Sequence, residues 1–492
     1  MSSVLAIDAG TSGVTALVIG AEGTVNSRGY AEFTQRFPRP GWVEHEPEDI
    51  WSATLSACRT ALAGAPQPPV ALGITNQRET SVLWDRRSLR SPRPAIVWQD
   101  RRTAGICTRL RDAGHEERVR ELTGLRLDPY FTATKLTWLA DQDEPAWSGV
   151  RDGSVAVGTV DSYVVARLTG GRRHVTDASN ASRTMLYDIG AGGWSGELCD
   201  LFGVPVASLP EVVPSSGELG RTDPETFLGL DLPIAGIAGD QQAALFGQAC
   251  YAEGQSKCTY GTGSFVLANT GRTPVRSEAG LLTTVAWDLG DGPVFALEGA
   301  IFVTGAAVQW LRDGLGLIDS AAEIEGLART VPDSGGVVFV PALTGLGAPD
   351  WDPAARGTIV GITRGTTRAH LARATLEAIA FEVRDVVDVM VAEAGIAVPE
   401  LSADGGASGN DLLCQLQADQ LGVPVRRPRV TETTALGAAF LAGLATGVWS
   451  STGELAATWQ EDRRFGPAPD ARDDGRHERW RDAVRRSLAW DG

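Results

Sequence analysis

The sequence has 492 residues, 43% of them hydrophobic and 21% charged, and so predicts a globular protein of two or three domains with substantial cores. Its net charge of −17 argues against nucleic acid and anionic membranes as partners, and no run of about 18 apolar residues marks a membrane span. Six scattered cysteines without a Cys-x-x-Cys pair and five histidines without metal spacing argue against a disulfide framework, a zinc site and a thiol nucleophile.

From Met1 the chain passes straight into a strand-like run, without a basic segment or cleavage site, and a cytoplasmic protein is expected. The run 4–7 enters a Gly/Thr/Ser turn, DAGTSG at 8–13, and leaves it through the apolar run 14–19, which reads as a β-hairpin. Residues 64–69 read as a surface loop, 70–75 as a strand, and GITNQRET at 73–80 carries the dipeptide Arg78-Glu79. Strand-like runs follow at 154–158 and 234–237, and QQAALFGQ at 241–248 suggests a helix opening just after Asp240. The loop 217–232 and the stretch 249–255 fall near the midpoint, so the boundary is placed there, giving halves 1–249 and 250–492.

The second half opens like the first. The run 257–259 enters YGTGS at 260–264 and leaves through 265–268, a second hairpin. Strands at 336–340 and 401–403 alternate with a helical pattern at 369–394, which is α/β organisation. The small-residue stretch 435–445 predicts tight helix packing, and the amphipathic stretch 478–490 a docked terminal helix.

Glycine in such turns lets the backbone approach a ligand closely, and successive N–H groups with Thr or Ser hydroxyls form a nest for an anion. One Gly-Thr-Gly turn is weak evidence, since hairpins need these residues for geometry alone. Two in corresponding places point to phosphate. There is neither a G-x-x-x-x-G-K-[ST] loop nor an H-R-D catalytic loop, and all but two of the 44 basic residues are arginine, the exceptions being Lys135 and Lys257. Hairpin nests, metal and arginine must therefore hold any phosphate.

Blocks spread over nearly the whole chain resemble the FGGY carbohydrate kinases, and within them the glycerol-phosphorylating branch. They include RPGWVEHEPEDIW (39–51), GITNQRET, AIVWQDRRT (95–103), DPYF (128–131), HVTDASNASRTML (174–186), AGDQQAALFGQ (238–248), TYGTGSF (259–265), GLGAPDWDP (345–353) and DGGASGN (404–410). The resemblance implies two duplicated ribonuclease-H-like domains of the actin and sugar-kinase type, closing over a cleft. It implies that Arg78, Glu79, Tyr130, Asp240 and Gln241 hydrogen-bond the hydroxyls of glycerol or a similar small polyol, with Trp98 and Phe265 beside its carbons. A triol needs fixed donors and acceptors with aromatic faces for its C–H edges, so the chemistry agrees. Asp240 is the candidate general base, because an alcohol attacking a γ-phosphoryl group must lose its proton. The resemblance also implies ATP as donor, with Thr11, Ser12 and Gly13 toward the transferred phosphate and Thr262, Gly305, Gln309, Gly406 and Asn410 around ADP. Asp8 is the expected Mg²⁺ partner through water. Family habit implies a homodimer or homotetramer.

Four positions depart from the family pattern. Ala9 stands where many relatives have Gln, Thr15 where they have Arg, Asp350 where they have an aromatic residue and Asp100 where they have a small or neutral one. Arg101, Arg102 and Arg183 are the candidates to replace the missing cation. Two other readings stay open at this point: a kinase of another polyol or ketose such as erythritol or xylulose, and a polyol or nucleotide sensor with weakened turnover.

Overall fold

The computed structural model describes residues 2–491, so Met1 and Gly492, the outer ends of the two expected halves, lie outside the described residues. Two large mixed sheets share one internal order. In the first, Ser3–Ala9 and Gly13–Gly20 form the hairpin and Val25–Glu32 continues it antiparallel. Ala71–Asn76 and Pro233–Gly239 extend it in parallel on the other side, and Ser216–Arg221 closes that edge antiparallel.

The second sheet repeats the scheme. Ser256–Tyr260 and Ser264–Gly271 form the hairpin, with Pro293–Ile301 antiparallel beside it. Leu401–Asp404 and Val425–Pro428 follow in parallel, Glu461–Phe465 closes the edge, and Leu282–Asp288 adds one further strand at the opposite side. Both Gly-Thr turns thus occupy the same place in their sheets. A parallel neighbour requires a crossover, and a helix supplies it each time: Pro47–Ala63 in the first half, Arg368–Ala394 in the second. The latter starts on a reciprocal Thr367/His370 cap and stops at Gly395, whose φ of 63° ends the helix.

Helices Asp240–Gly247 and Thr433–Ala445 occupy the space between the sheets. Side chains there would hold the backbones apart. A Cβ on Gly437 would lie 1.8 Å from the Ala243 carbonyl oxygen and one on Gly247 2.1 Å from that of Thr433. On the strand side, a Cβ on Gly73 would lie 2.1 Å from the Ala438 carbonyl oxygen. The small-residue stretch therefore packs backbone to backbone, as its composition predicts, and this helix of the second half lies against the sheet of the first.

Between strands 71–76 and 216–221 the chain runs through short helices and two- and three-stranded pieces that carry Trp98 and Tyr130 on a core of Leu83, Ile96, Phe131 and Trp147. The terminal helix Arg476–Ser487 docks as its amphipathic pattern predicts: Trp480 stacks on Phe381 at 5.7 Å and donates to Asp385 Oδ2 at 2.8 Å. All six cysteines are buried and free. Among the described residues no helix is long and apolar enough to cross a membrane.

Gly437→Ala is expected to destabilise the protein by about 1–3 kcal/mol, the usual cost of overpacking, read as a lower urea midpoint. Gly453→Ala, whose Cβ meets only Ser451 Oγ at 3.7 Å, is the control and is expected to be neutral or slightly stabilising.

Candidate active site

Strand Ala71–Asn76 ends at the cleft, and the following turn turns Arg78 and Glu79 inward. Glu79 takes φ 64°, a left-handed conformation that costs a residue with a Cβ about 1–3 kcal/mol, so surrounding contacts must hold it. They are ionic and buried. Arg78 donates Nη1 to Glu298 Oε2 at 2.5 Å and to Gln242 Oε1 at 3.1 Å, and Nη2 to Glu298 Oε1 and to Tyr130 OH, both at 3.1 Å. Arg183 completes the cluster, donating Nε to Glu79 Oε1 at 2.8 Å and Nη2 to Glu298 Oε1 at 2.9 Å. Burial opposes charge on Glu298, but Arg183 and Arg78 outweigh it and hold the carboxyl below the usual glutamate range. On Glu79 burial wins, and its carboxyl is raised.

One Arg78 nitrogen remains. Its Nε lies 3.1 Å from Asp240 Oδ1, which also accepts the Gln241 backbone N–H at 2.7 Å. Gly239 is the N-cap residue and Asp240 the first residue of the helix, with its side chain 28% exposed to the cleft. Burial raises its carboxyl, with Arg78 pulling the other way. Trp98, Tyr130 and Phe265 surround these groups: Trp98 meets Tyr130 at 5.6 Å and Phe265 at 6.4 Å between ring centroids. Lys135, fully buried, donates to the carbonyls of Pro129, Tyr130 and Phe131 and so fixes the loop that presents Tyr130. Six of the seven residues expected at the polyol therefore converge, and the seventh, Gln241, follows Asp240 in the chain. With Thr262, Phe302 and Trp351 the three rings line a cavity of about 470 Å³.

The first turn is tied to this wall. Trp98 Nε1 donates to Thr11 Oγ1 at 3.0 Å, leaving the Thr11 hydroxyl hydrogen for another acceptor. Gln77 donates to the Gly10 carbonyl at 2.9 Å and accepts from Thr80, whose hydroxyl in turn accepts the Trp98 backbone N–H. Ser12 is exposed, and Gly13 is required by packing, since its Cβ would lie 2.7 Å from the Ala31 carbonyl oxygen. Asp8 faces Thr15 directly across the hairpin and forms no ion pair among the described residues; burial, with the Asp240 carboxylate second, pushes its carboxyl up to about 7.

The second turn forms another wall. Thr262 stands exposed at its tip, with Gly305 N donating to the Gly261 carbonyl at 3.0 Å. A Cβ on Gly305 would lie 2.6 Å from that same oxygen, so close packing alone accounts for this glycine. Gly406 differs: it faces open space, and neither packing nor a positive φ requires it. Its neighbour Gly405 takes φ 82° against Tyr260, which brings the loop to the turn. Asn410 caps helix Asp411–Leu421 through Leu413 N at 2.9 Å, and Gln309 is exposed at the end of helix Gly305–Gln309.

The structure accounts for two of the departures. Buried Asp100 binds Arg102 at 2.7 Å and the Val43 N–H at 2.6 Å, and Arg102 packs against Trp42 and Trp138. Asp350 forms an ion pair with Arg481 of the terminal helix at 3.4 Å. Of the candidate replacement cations, Arg102 and Arg183 are committed to these internal pairs, and Arg101 pairs with Asp128 at 2.8 Å beside the cavity. Sequence reasoning missed Glu298 and Gln242. The signal for Glu298 was available, a single carboxylate within the apolar run 294–303. His45 is buried with Nε2 unpaired among the described residues, and burial pushes its ring down to about 4.

Two mixed sheets of one order, each offering a Gly-Thr turn to a common cleft, define a two-domain kinase of the actin and sugar-kinase type. The chain belongs to the FGGY family of carbohydrate kinases: the family's N-terminal domain matches residues 3–247 and its C-terminal domain residues 256–446. It is 53% identical to glycerol kinase 2 of Thermotoga maritima over the whole of both chains. It is 55% identical to the glycerol kinase of Dechloromonas aromatica over 99% of this chain and 98% of that one. The crystal structure of Plasmodium falciparum glycerol kinase with ADP superimposes with a TM-score of 0.92 at 33% identity, covering 99% and 98% of the two chains.

Glu298→Gln is expected to destabilise the protein by about 3–5 kcal/mol, because it leaves two buried guanidinium groups short of a carboxylate; guanidinium unfolding measures it. Asp8 gives a pH signature. With its folded-state value near 7 and its unfolded value near the ordinary 3.8, the folded chain keeps a proton that the unfolded chain releases, so this residue's contribution falls as pH rises between those values. Asp8→Asn is therefore expected to melt a few degrees above the parent at pH 8 without metal, and level with it at pH 4.

Proposed function

We propose that this chain transfers the γ-phosphoryl group of ATP to a primary hydroxyl of glycerol, giving sn-glycerol 3-phosphate. The observation that carries this reading is the convergence of Arg78, Glu79, Asp240 and Tyr130 between Trp98 and Phe265, in a chain more than half identical to glycerol kinases over its full length. Arg78 and Tyr130 supply donors, Glu79 and Asp240 acceptors, and the rings cover the carbons. Asp240 accepts the proton of the attacking hydroxyl: the Arg78 pair holds it in place, and its partial exposure leaves an oxygen edge open to substrate. Trp98 and Phe265, in edge contact at 6.4 Å between centroids, form one aromatic wall for the carbon edges of a small polyol, and a bulkier ketose would need that wall opened.

In this reading Thr11, Ser12 and Gly13 cradle the phosphate being transferred. Thr262, Gly305, Gln309, Gly406 and Asn410 serve ADP, with the unexplained glycine at 406 as the specific support, since open space there admits close approach of a ligand. Among the described residues no three metal-ligating side chains cluster, but a raised Asp8 carboxyl facing a second carboxylate suits a hard cation that keeps most of its waters. Mg²⁺ held by Asp8 through water would neutralise phosphate charge. We also assign the boundary between the halves to residues 249/250, a homo-oligomeric state and a cytoplasmic location.

ADP release is to be measured with Mg-ATP and glycerol, erythritol, xylulose, ribulose or no acceptor. Turnover should be strongest with glycerol, and Asp240→Asn should lower kcat by about 10²–10⁴-fold while the fold persists. Near-normal turnover in that variant removes Asp240 from the role, and silence with every acceptor despite ATP binding moves the reading to a sensor.

A further inference from the structure

Lys257 lies in strand Ser256–Tyr260, whose Cys258 and Tyr260 point into the second core. Strand alternation puts Lys257 and Thr259 on the other face, toward helix Asp240–Gly247. Its ammonium is fully buried and donates to two neutral acceptors, Gln241 Oε1 at 2.5 Å and Thr259 Oγ1 at 2.8 Å. Burial pulls it below the ordinary lysine range, with Asp404 and Glu298 acting in its favour. An ammonium placed there is costly, and a simple space-filler would be cheaper as methionine.

An ammonium can only donate, so it decides how the Gln241 amide lies. The carbonyl oxygen must face Lys257, and the NH₂ must face away. Among the described residues the Gln241 side chain bonds only through its oxygen, to Lys257, and the residue adjoins Asp240. We propose that Lys257 is a positioning residue of the kinase reaction: it fixes the Gln241 side chain so that its NH₂ is presented to a hydroxyl of the polyol beside the Asp240 carboxylate. A hydroxyl lying against both accepts from Gln241 and donates to Asp240, the polarity that proton removal requires. The inference rests on the polyol-kinase reading above.

The test is a double-mutant cycle of Lys257→Met and Gln241→Ala, with Asp240→Asn as control, followed by glycerol-dependent ADP release. Each single variant is expected to lower kcat/KM for glycerol by about 10- to 100-fold, as for loss of a bond to a charged group or the donor it aligns, with KM for ATP little changed. The double variant is expected to be no worse than Gln241→Ala alone. Losses that multiply in the double variant, or a raised KM for ATP with glycerol unaffected, overturn the proposal. Should Lys257→Met fail to fold, Gln241→Glu decides: it keeps an acceptor for Lys257 and removes the NH₂, so kcat/KM should fall as in Gln241→Ala without a lower melting temperature. Wild-type kcat/KM in that variant overturns the proposal. A parent protein without glycerol-dependent turnover overturns the kinase reading and this inference together. Glycerol turnover that Asp240→Asn abolishes, with a multiplicative cycle, overturns the inference alone.

Discussion

Glu298 reaches from a strand of the second sheet to two guanidinium groups carried by the first half of the chain, Arg78 at 2.5 Å and Arg183 at 2.9 Å. All three are essentially without solvent, and an unpaired charge there would cost several kcal/mol, so none of them is tolerable alone. The pairing therefore ties the two halves together at the floor of the cleft. It also sets the chemistry above: with both Arg78 Nη groups committed to Glu298, Gln242 and Tyr130, only Nε is left to orient Asp240. The left-handed Glu79 is held by the same set, through Arg183.

A second constraint fixes the distance between the sheets. Helices 240–247 and 433–445 meet through glycine and alanine at backbone contact, leaving no room for rearrangement by side-chain adjustment. The Asp240 end of one helix is thus placed by the packing of the other, whose own support is the sheet that carries Arg78. Precision at the acceptor site comes from regular elements locked by sterics, and the ionic cluster then needs little further adjustment.

Against this rigid floor, the first Gly-Thr turn carries no cation of its own among the described residues. Thr15 stands directly opposite Asp8, so a position that could hold a cation holds a hydroxyl. The arginines that might have compensated are occupied: Arg183 on Glu79 and Glu298, Arg102 on Asp100 and against two tryptophans, Arg101 on Asp128. Burial, with the Asp240 carboxylate second, leaves Asp8 with a raised carboxyl.

The sequence by itself determined the elements and the chemistry that lies within short segments. The two hairpins, the strand-like runs, the helical pattern at 369–394 and the docked terminal helix are legible, because hydrophobic period and Gly/Thr turns act over a few residues. Arg78, Glu79, Asp240 and the three aromatic residues are legible through the family resemblance of the short blocks that carry them. Only the tertiary structure decided what those charges lean on. Glu298 lies 220 positions from Arg78, and Lys257 16 positions from Gln241 on a different element, and no local pattern ties such pairs. Nor could composition say that Gly305 is a packing residue while Gly406 faces open space, or that Asp100 holds Arg102. Each of these depends on which backbone lies nearest in space, and that is fixed only when the two sheets close on the helices between them.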